Sequence, residues 1–248
     1  MPVVVDDVNG EAVFGGDVFL GSAKKLRQDA ALIERAGGAD AVNSNKSLVP
    51  DSVRNGNRPW PNRVVPYSGV NALRQPFRRE FKAAVAHWER LLGGDIDFRP
   101  RRRGDARYMR VKVVPGRTCG WSVNSNTLRL GGGASGKCAR HEIGHALGLA
   151  HEHMRHDRNT FVRVLEENIQ RESCSQFDML PARLSVGDYD LSSVMHYFPT
   201  GQTCNRRPTL AAIPPGRIGR RNEQITAGDV AGVRRAQGIQ PGRNQTPQ

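Results

Sequence analysis

Hydrophobic positions recur at helical spacing in one clear stretch of the chain. Between Pro76 and Leu92 the large apolar side chains fall three or four residues apart, at Phe77, Phe81, Val85, Trp88 and Leu92. Gly93 and Gly94 end the run, and Pro76 lies where the first turn of a helix tolerates proline. The pattern therefore predicts an amphipathic helix over 76–92.

Shorter apolar runs on either side of this helix predict strands at 63–67, 96–100, 108–114 and 127–130. Pro66 cannot donate to a ladder, so the first of them is expected at the edge of a sheet. Further helices are predicted at about 136–149 and at 226–236, the latter with Thr226 as its cap. The region between these two helices is irregular. This order of elements predicts an α+β fold.

The first 57 residues differ in composition from the rest of the chain. They carry six Lys/Arg and eight Asp/Glu, whereas residues 58–248 carry 31 and 16. A short helical run at 23–36 is followed by a polar stretch and a link rich in Pro, Asn and Arg. We therefore expect a loosely built N-terminal unit at 1–57 and a main domain at 58–248.

The net charge of +13 and the pI near 10.4 have two interpretations. Such a balance is typical of proteins that bind nucleic acid or an anionic surface. It also occurs where a solvated basic surface keeps a protein soluble. No basic motif interleaved with aromatic residues accompanies the charge, so we expect no nucleic-acid partner. No run reaches the roughly 18 apolar residues of a membrane span, so we expect no membrane partner.

The four cysteines are Cys119, Cys138, Cys174 and Cys204, with no C-x-x-C pair among them. They fit two disulfides in an oxidising compartment, and proximity in sequence favours Cys119–Cys138 and Cys174–Cys204 among the three possible pairings. Four buried thiols in a cytosolic protein are the alternative. The first residues contain no basic and apolar leader, so secretion would require a signal outside the given sequence.

The second predicted helix carries the candidate chemistry. His141 and His145 are four residues apart on one helical face, so both imidazoles can bind one metal ion. Glu142 lies within reach of a water molecule at that metal. Gly148 can adopt a positive φ and end the helix, which would present His151 as a third ligand. Three neutral imidazoles and an open position predict a catalytic Zn²⁺ site.

The run HEIGHALGLAHEHMRHDR at 141–158 resembles the signature of the astacin family of zinc metalloendopeptidases, which belongs to the metzincins. Glu152, directly after the third histidine, is the residue that separates astacins from other metzincins, and Arg155, Asp157 and Arg158 also match. Similarity extends over most of the chain after Trp60, in segments 60–67, 119–122, 187–190, 193–197, 218–221 and 225–230. The cysteines depart from the family pattern.

The resemblance implies a metzincin fold with a twisted, mainly parallel sheet, a backing helix, an active-site helix and an irregular C-terminal subdomain. It implies one Zn²⁺ per chain, protein or peptide substrates, and Glu142 as the base that takes a proton from water. Tyr197 would bind zinc in the resting mature enzyme and swing away to stabilise the oxyanion. Met195 would form the apolar floor of the site, and Glu152 would anchor the new N-terminus after activation.

The N-terminal unit resembles an astacin prosegment through Phe14-Gly-Gly-Asp17, an F-x-G-D motif. Residues 1–57 contain neither Cys nor His, so only a carboxylate could fill the open zinc position from this unit. The resemblance implies that the Asp17 carboxylate does so and that Tyr197 is displaced. Activation would then require a protease that cuts within about 46–57, where Lys46 and Arg54 offer sites for a trypsin-like enzyme.

Two other expectations concern the substrate and an alternative function. Many astacins favour an acidic residue just after the scissile bond, and Arg206 and Arg207 are candidates for that subsite. The remaining histidines, His87, His153, His156 and His196, are interpreted as bystanders. The alternative to an enzyme is a zinc-stabilised binding module without catalysis, against which the intact Glu142 argues.

Overall fold

The structure is a computed structural model. It describes residues 6–8, 11–14, 18–24, 27, 59–116, 119–122, 126–131, 138–180, 182, 185, 187–216, 218 and 224–240. Within these ranges the helices are α1 (Gln75–Leu92), α2 (Ala139–Ala146) and α3 (Ala227–Ala236). The strands are β1 (Asp6–Val8), β2 (Glu11–Phe14), β3 (Val18–Ser22), β4 (Val64–Ser68), β5 (Asp97–Pro100), β6 (Met109–Val114), β7 (Gly120–Ser122), β8 (Thr127–Gly131), β9 (Val162–Val164) and β10 (Leu210–Ala212).

Helix α1 confirms the amphipathic prediction. It begins one residue before Pro76 and ends where Gly93 takes the left-handed conformation with φ of +61°. Its buried side chains include Phe81, Trp88 and Leu92. The Trp88 indole donates a hydrogen bond to the carbonyl of Arg140, which fixes α1 behind α2.

Eight strands form one sheet in the order β1-β2-β3-β7-β8-β6-β4-β5. From β8 to β5 all neighbours are parallel, and β7 runs antiparallel to β8. This arrangement, with α1 and α2 against the sheet, confirms the predicted α+β fold with a mainly parallel sheet. Beyond α2 the described chain consists of short 3-10 helices, the β9–β10 pair and α3, which confirms the irregular C-terminal region.

The prediction that the strand containing Pro66 lies at the sheet edge is wrong. β4 has β5 on one side and β6 on the other. Pairing with β6 begins at Tyr67, after the proline, so no ladder bond with β6 is required from Pro66. The tertiary register thus removes the conflict that a local rule predicts.

The N-terminal segment is more ordered than its composition predicts. β1, β2 and β3 form antiparallel pairs, and β3 then joins β7 in parallel, with Val18 opposite Trp121 and Phe19 opposite Ser122. The strand partner is a distant part of the chain, which a local pattern cannot supply. Of the predicted 23–36 helical run, Ala23, Lys24 and Arg27 are described and helical.

Two hydrophobic clusters hold the described chain. The larger lies between the sheet and the three helices and includes Trp60, Trp88, Trp121 and Met195. The smaller lies in the C-terminal region and includes Val162, Phe177, Tyr189 and Tyr197. The segment 193–197 passes from one cluster to the other. None of the helices in the described part is long and apolar enough to cross a bilayer.

The cysteine predictions are half confirmed. Cys119 is bonded to Cys138, which joins the start of β7 to the start of α2. Cys174 and Cys204 are exposed free thiols, so the predicted second pairing is wrong for this structure. Ile169 pairs antiparallel with Thr203, and the Cys204 N–H donates to the Asn168 carbonyl beside this bridge. Cys174 lies in the 3-10 helix Arg171–Phe177.

Replacing both Cys119 and Cys138 by alanine should lower the free energy of unfolding by about 3 kcal/mol, since their bond closes a loop with a sequence separation of 19. Urea unfolding measures the change. The matched control, Cys174→Ala with Cys204→Ala, should stay within about 0.5 kcal/mol of the parent because both thiols are exposed. A control that costs as much as the first variant would contradict the assignment, as would fewer than two titratable thiols in the unreduced, unfolded chain.

Candidate metal centre

Helix α2 ends inside the motif that predicts the metal site. The Leu147 N–H closes the last turn on the Ile143 carbonyl, and Gly148 then takes φ of +104°. This is the left-handed turn expected there, because only glycine adopts it without strain. The chain reverses and returns His151 to the face of α2 that carries His141 and His145.

The three predicted histidines converge on one point. The Nε2 atom of His141 lies 3.0 Å from Nε2 of His151 and 3.1 Å from Nε2 of His145. All three side chains are buried, with exposed fractions of 0% for His141 and 3% for each of the other two. Within the described residues they form the group of His, Cys, Asp and Glu side chains that could hold a metal ion.

The hydrogen bonds of the Nδ1 atoms determine the protonation of the Nε2 atoms at the centre. Nδ1 of His141 lies 2.8 Å from the Val194 carbonyl, and Nδ1 of His145 lies 2.8 Å from the Leu149 carbonyl. A carbonyl only accepts, so each Nδ1 carries the proton and each Nε2 of the neutral ring presents a lone pair to the centre. Lone pairs about 3 Å apart are mutually repulsive unless a cation lies between them. The donor set of three neutral imidazoles fits one Zn²⁺.

Met195 lies against α2 at Gly144. A Cβ placed on Gly144 would come within 2.5 Å of the Met195 Sδ, so only glycine permits this contact. Met195 is 1% exposed, and its carbonyl accepts a hydrogen bond from the Glu152 N–H. Gly144, a residue inside the HExxH motif, thus leaves room for the side chain that is expected to form the apolar floor.

A buried carboxylate holds the segment that orients His141. Asp229 accepts hydrogen bonds from the Ser193 hydroxyl at 2.6 Å and from the Val194 N–H at 3.1 Å. It also forms a capping box with Thr226 at the start of α3, which confirms the predicted cap. Burial raises the pKa of Asp229, while these donors act in the opposite direction. The cap of α3 and the carbonyl that orients His141 thus share one side chain.

Glu152 connects the metal signature to the loop at 187–190. Its Oε1 accepts a hydrogen bond from the Asp190 N–H at 2.8 Å and lies 3.6 Å from the Arg155 guanidinium. Arg155 in turn forms a paired contact with Asp157 and donates to the Gly187 carbonyl. Burial raises the pKa of Glu152 to about 7, which the Asp190 N–H partly offsets. The residues that match the family signature here are structural partners of one another.

Tyr197 lies beside the histidines. Its ring centroid is 4.7 Å from that of His151 and 4.0 Å from that of His153, on which it stacks. Its hydroxyl donates to Gln176 Oε1 at 3.1 Å. His153 is fully buried, and this burial lowers its pKa well below the ordinary value. His153 and Gln176 are therefore neighbours of the site that the sequence did not reveal.

The candidate base, Glu142, is 0% exposed on α2, next to His141. β3 pairs with the edge of β7 that β8 does not use. A peptide that added to this sheet as a strand would need that edge. Over the two residue pairs that β3 forms, the edge of β7 is already paired.

The other predicted site residues lie apart from this group. Asp17 falls between β2 and β3, outside the described residues. Arg206 and Arg207 are exposed, and His87 is half-buried on α1. His196 is buried, and its Nε2 atom forms a 2.8 Å hydrogen bond with the Tyr189 hydroxyl. Among the contributors missed from sequence, Asp229 had a readable signal in the T-x-x-D spacing from Thr226, whereas Gln176 and His153 had none.

Replacing Asp229 by alanine should lower the free energy of unfolding by roughly 2–4 kcal/mol, because it removes a buried acceptor shared by four donors. It should also weaken zinc binding by about 10-fold or more through the Val194 carbonyl. Thr226→Ala is the control: it removes the cap alone and should cost about 1 kcal/mol with unchanged zinc affinity. Competition with a chelating dye measures the affinity, and equal zinc affinity in both variants would contradict this coupling.

Comparison with known proteins agrees with this geometry. Residues 52–236 match Astacin (Peptidase family M12A). Protein SpAN of Strongylocentrotus purpuratus is 28% identical over 255 residues, which cover 92% of this chain and 38% of that protein. Tolloid-like protein 1 of Homo sapiens is 33% identical over 200 residues, which cover 72% of this chain and 19% of that protein. The chain spans about two fifths of the length of the first curated relatives it matches.

Solved structures share the fold. High choriolytic enzyme 1, a hatching enzyme zinc-protease from Oryzias latipes (Medaka fish), matches with a TM-score of 0.61 and 24% identity, covering 74% of this chain and 94% of that chain. Myroilysin matches with a TM-score of 0.53 and 19% identity, covering 74% and 97%. Since the family match covers most of the chain and includes the three-histidine site, this chain belongs to the astacin family.

Proposed function

We propose that the chain is a zinc-dependent endopeptidase that hydrolyses peptide bonds in proteins or peptides. The observation that carries this proposal is the convergence of three imidazole Nε2 atoms on one point, with Glu142 on the same helix. The zinc-protease description of the medaka relative supports the same reaction class. When bound by these histidines, zinc would act as a Lewis acid toward the scissile carbonyl and lower the pKa of water.

Glu142 would take the proton from the attacking water and pass it to the leaving amine nitrogen. Its place directly after His141 on α2 would put the carboxylate beside the metal position, and it is not one of the three clustered ligands. Burial of this carboxylate shields it from bulk solvent. Tyr197 would donate its hydroxyl hydrogen to the oxyanion of the tetrahedral intermediate. The ring contact of Tyr197 with His151 supports this role, because it places the tyrosine ring beside one of the proposed zinc ligands.

The intact chain would be latent, with residues 1–57 as its inhibitory prosegment and 58–248 as the catalytic domain. Two observations support latency: the buried state of His141 and Glu142, and the occupation of the β7 edge by β3. In this proposal the Asp17 carboxylate takes the fourth zinc position. A protease that cuts between about 46 and 57 would then open the cleft. After the cut, the half-buried carboxylate of Glu152 would pair with the new N-terminal ammonium.

The chain would be secreted, and its substrates would be extracellular proteins. The Cys119–Cys138 disulfide supports an oxidising compartment. Arg206 and Arg207, both exposed, would favour an acidic residue after the scissile bond. A zinc-stabilised binding module without catalysis is the alternative; it requires the same histidines but gives Glu142 no role.

Glu142→Gln should reduce kcat by about 10²- to 10⁴-fold in the trypsin-treated protein, because it removes the proton acceptor and keeps the side-chain shape. Zinc content should remain one per chain, measured by metal analysis. His145→Ala is the contrasting variant and should lose the zinc as well as the activity. Equal activity of Glu142→Gln and the parent would rule out the proposed base, and zinc without activity in any form would favour the binding module.

The intact chain should show little peptidase activity, and limited trypsin treatment should release it as the first 50 or so residues are lost. Asp17→Ala should raise the activity of the uncut chain, because the proposed zinc ligand is removed. A fluorogenic peptide assay together with mass analysis of the cut chain measures both effects.

The matched control for this test is the double variant Lys46→Gln with Arg54→Gln, which removes both trypsin sites from the proposed linker. This variant should stay latent under the same treatment. Full activity of the uncut parent chain would contradict the inhibitory role of the N-terminal unit.

A further inference from the structure

The Tyr197 hydroxyl has a defined acceptor away from the three histidines. It donates to Gln176 Oε1 at 3.1 Å, and the exposed fractions of the two side chains are only 3% and 5%. A phenol has one proton to donate. While that proton is held by Gln176, the hydroxyl neither donates to a substrate oxyanion nor ligates the metal through a deprotonated oxygen.

The ring of Tyr197 is supported in this position. It stacks on His153 with an interplanar angle of 26° and meets Phe177 edge-on at 84°. Both neighbours are buried. These contacts fix the plane of the ring, so the Gln176 hydrogen bond selects where the hydroxyl points.

Gln176 is itself held by the metal signature segment. Its main-chain carbonyl accepts a hydrogen bond from His153 Nε2 at 2.9 Å. The neighbouring Phe177 carbonyl accepts from the Arg158 guanidinium, which also donates to the His153 carbonyl. The 3-10 helix Arg171–Phe177 is thus tied to residues 153–158 on one side, and β1 approaches it on the other.

We propose that Gln176 is a positioning residue that holds the Tyr197 hydroxyl away from the metal. The fourth metal position then stays open for an incoming oxygen ligand. The inference rests on the proposed function, in which that ligand is a carboxylate of the N-terminal unit or the scissile carbonyl. Gln176 does not touch the reacting atoms; it acts through the hydroxyl of Tyr197. Its neutral amide oxygen accepts a hydrogen bond from the phenol but does not deprotonate it. The hydrogen bond can therefore break, and the Tyr197 side chain can move.

Side-chain length and chemistry at position 176 should therefore control Tyr197. Methionine has a similar size without an oxygen acceptor, and glutamate keeps the acceptor at the same distance from the backbone. Gln176→Met should shift Tyr197 toward the metal by about 3- to 10-fold, the effect of losing one neutral hydrogen bond. Gln176→Glu should keep the Tyr197 hydroxyl hydrogen-bonded to residue 176.

The test uses the full chain with Asp17→Ala as the common background, so that its result does not depend on which group the N-terminal unit presents to the metal. One equivalent of Cu²⁺ replaces zinc as the probe. A phenolate bound to Cu²⁺ gives a charge-transfer absorption band, which reports Tyr197 at the metal without reference to peptidase activity. The variants are Gln176→Met, Gln176→Glu, Tyr197→Phe and the double variant Gln176→Met with Tyr197→Phe.

The expected result is a stronger band in Gln176→Met than in the background chain, a weak band in Gln176→Glu, and none in either protein with Tyr197→Phe. Loss of the difference in the double variant would assign it to the contact between these two residues. An unchanged band in Gln176→Met, or no Tyr197-dependent band in any variant, would overturn the inference. The assay of Glu142→Gln would still decide the proposed peptidase function by itself.

Discussion

The facing Nε2 lone pairs of His141 and His145 are unfavourable so close together without a cation between them. The Val194 and Leu149 carbonyls orient these lone pairs, because they hold the protons of His141 and His145 on Nδ1. The glycine turn after α2 then adds His151 to the same point. The geometry of the site is set by these main-chain groups, and the metal completes an arrangement that the chain alone leaves electrostatically unfavourable.

The two halves of the described domain meet at the segment 193–197. Met195 belongs to the core formed by the sheet and helices, and Tyr197 belongs to the smaller C-terminal core. Asp229 fastens this segment from α3, while the Glu152 N–H fastens it from the metal signature. The floor of the site, the orientation of one histidine and the placement of the tyrosine are therefore coupled through five consecutive residues.

Local rules predict the parts of this protein that are built locally. The spacing of His141 and His145, the turn at Gly148 and the capped start of α3 follow from helix geometry and glycine chemistry within a few residues. Other features depend on distant partners, and no sequence window contains them. β4 can be internal because its register with β6 starts after Pro66. The N-terminal strands pair with the edge of β7. Gln176 can be recognised as part of the site only from its hydrogen bond with Tyr197. Chain order alone does not predict that Cys174 and Cys204 remain free thiols.

On the proposed function, the short parallel pairing of β3 with β7 has a consequence for how inhibition would end. Its described register joins only two residue pairs, a contact too small to hold a separate peptide in dilute solution. While the chain is continuous, the linker keeps the N-terminal strands at an effective concentration in the millimolar range, where even a weak contact is occupied. On the proposed function, one cut in the linker converts an intramolecular contact into a bimolecular one, and dilution alone carries the inhibitor away. Latency would then depend on the continuity of the chain more than on the strength of the contact.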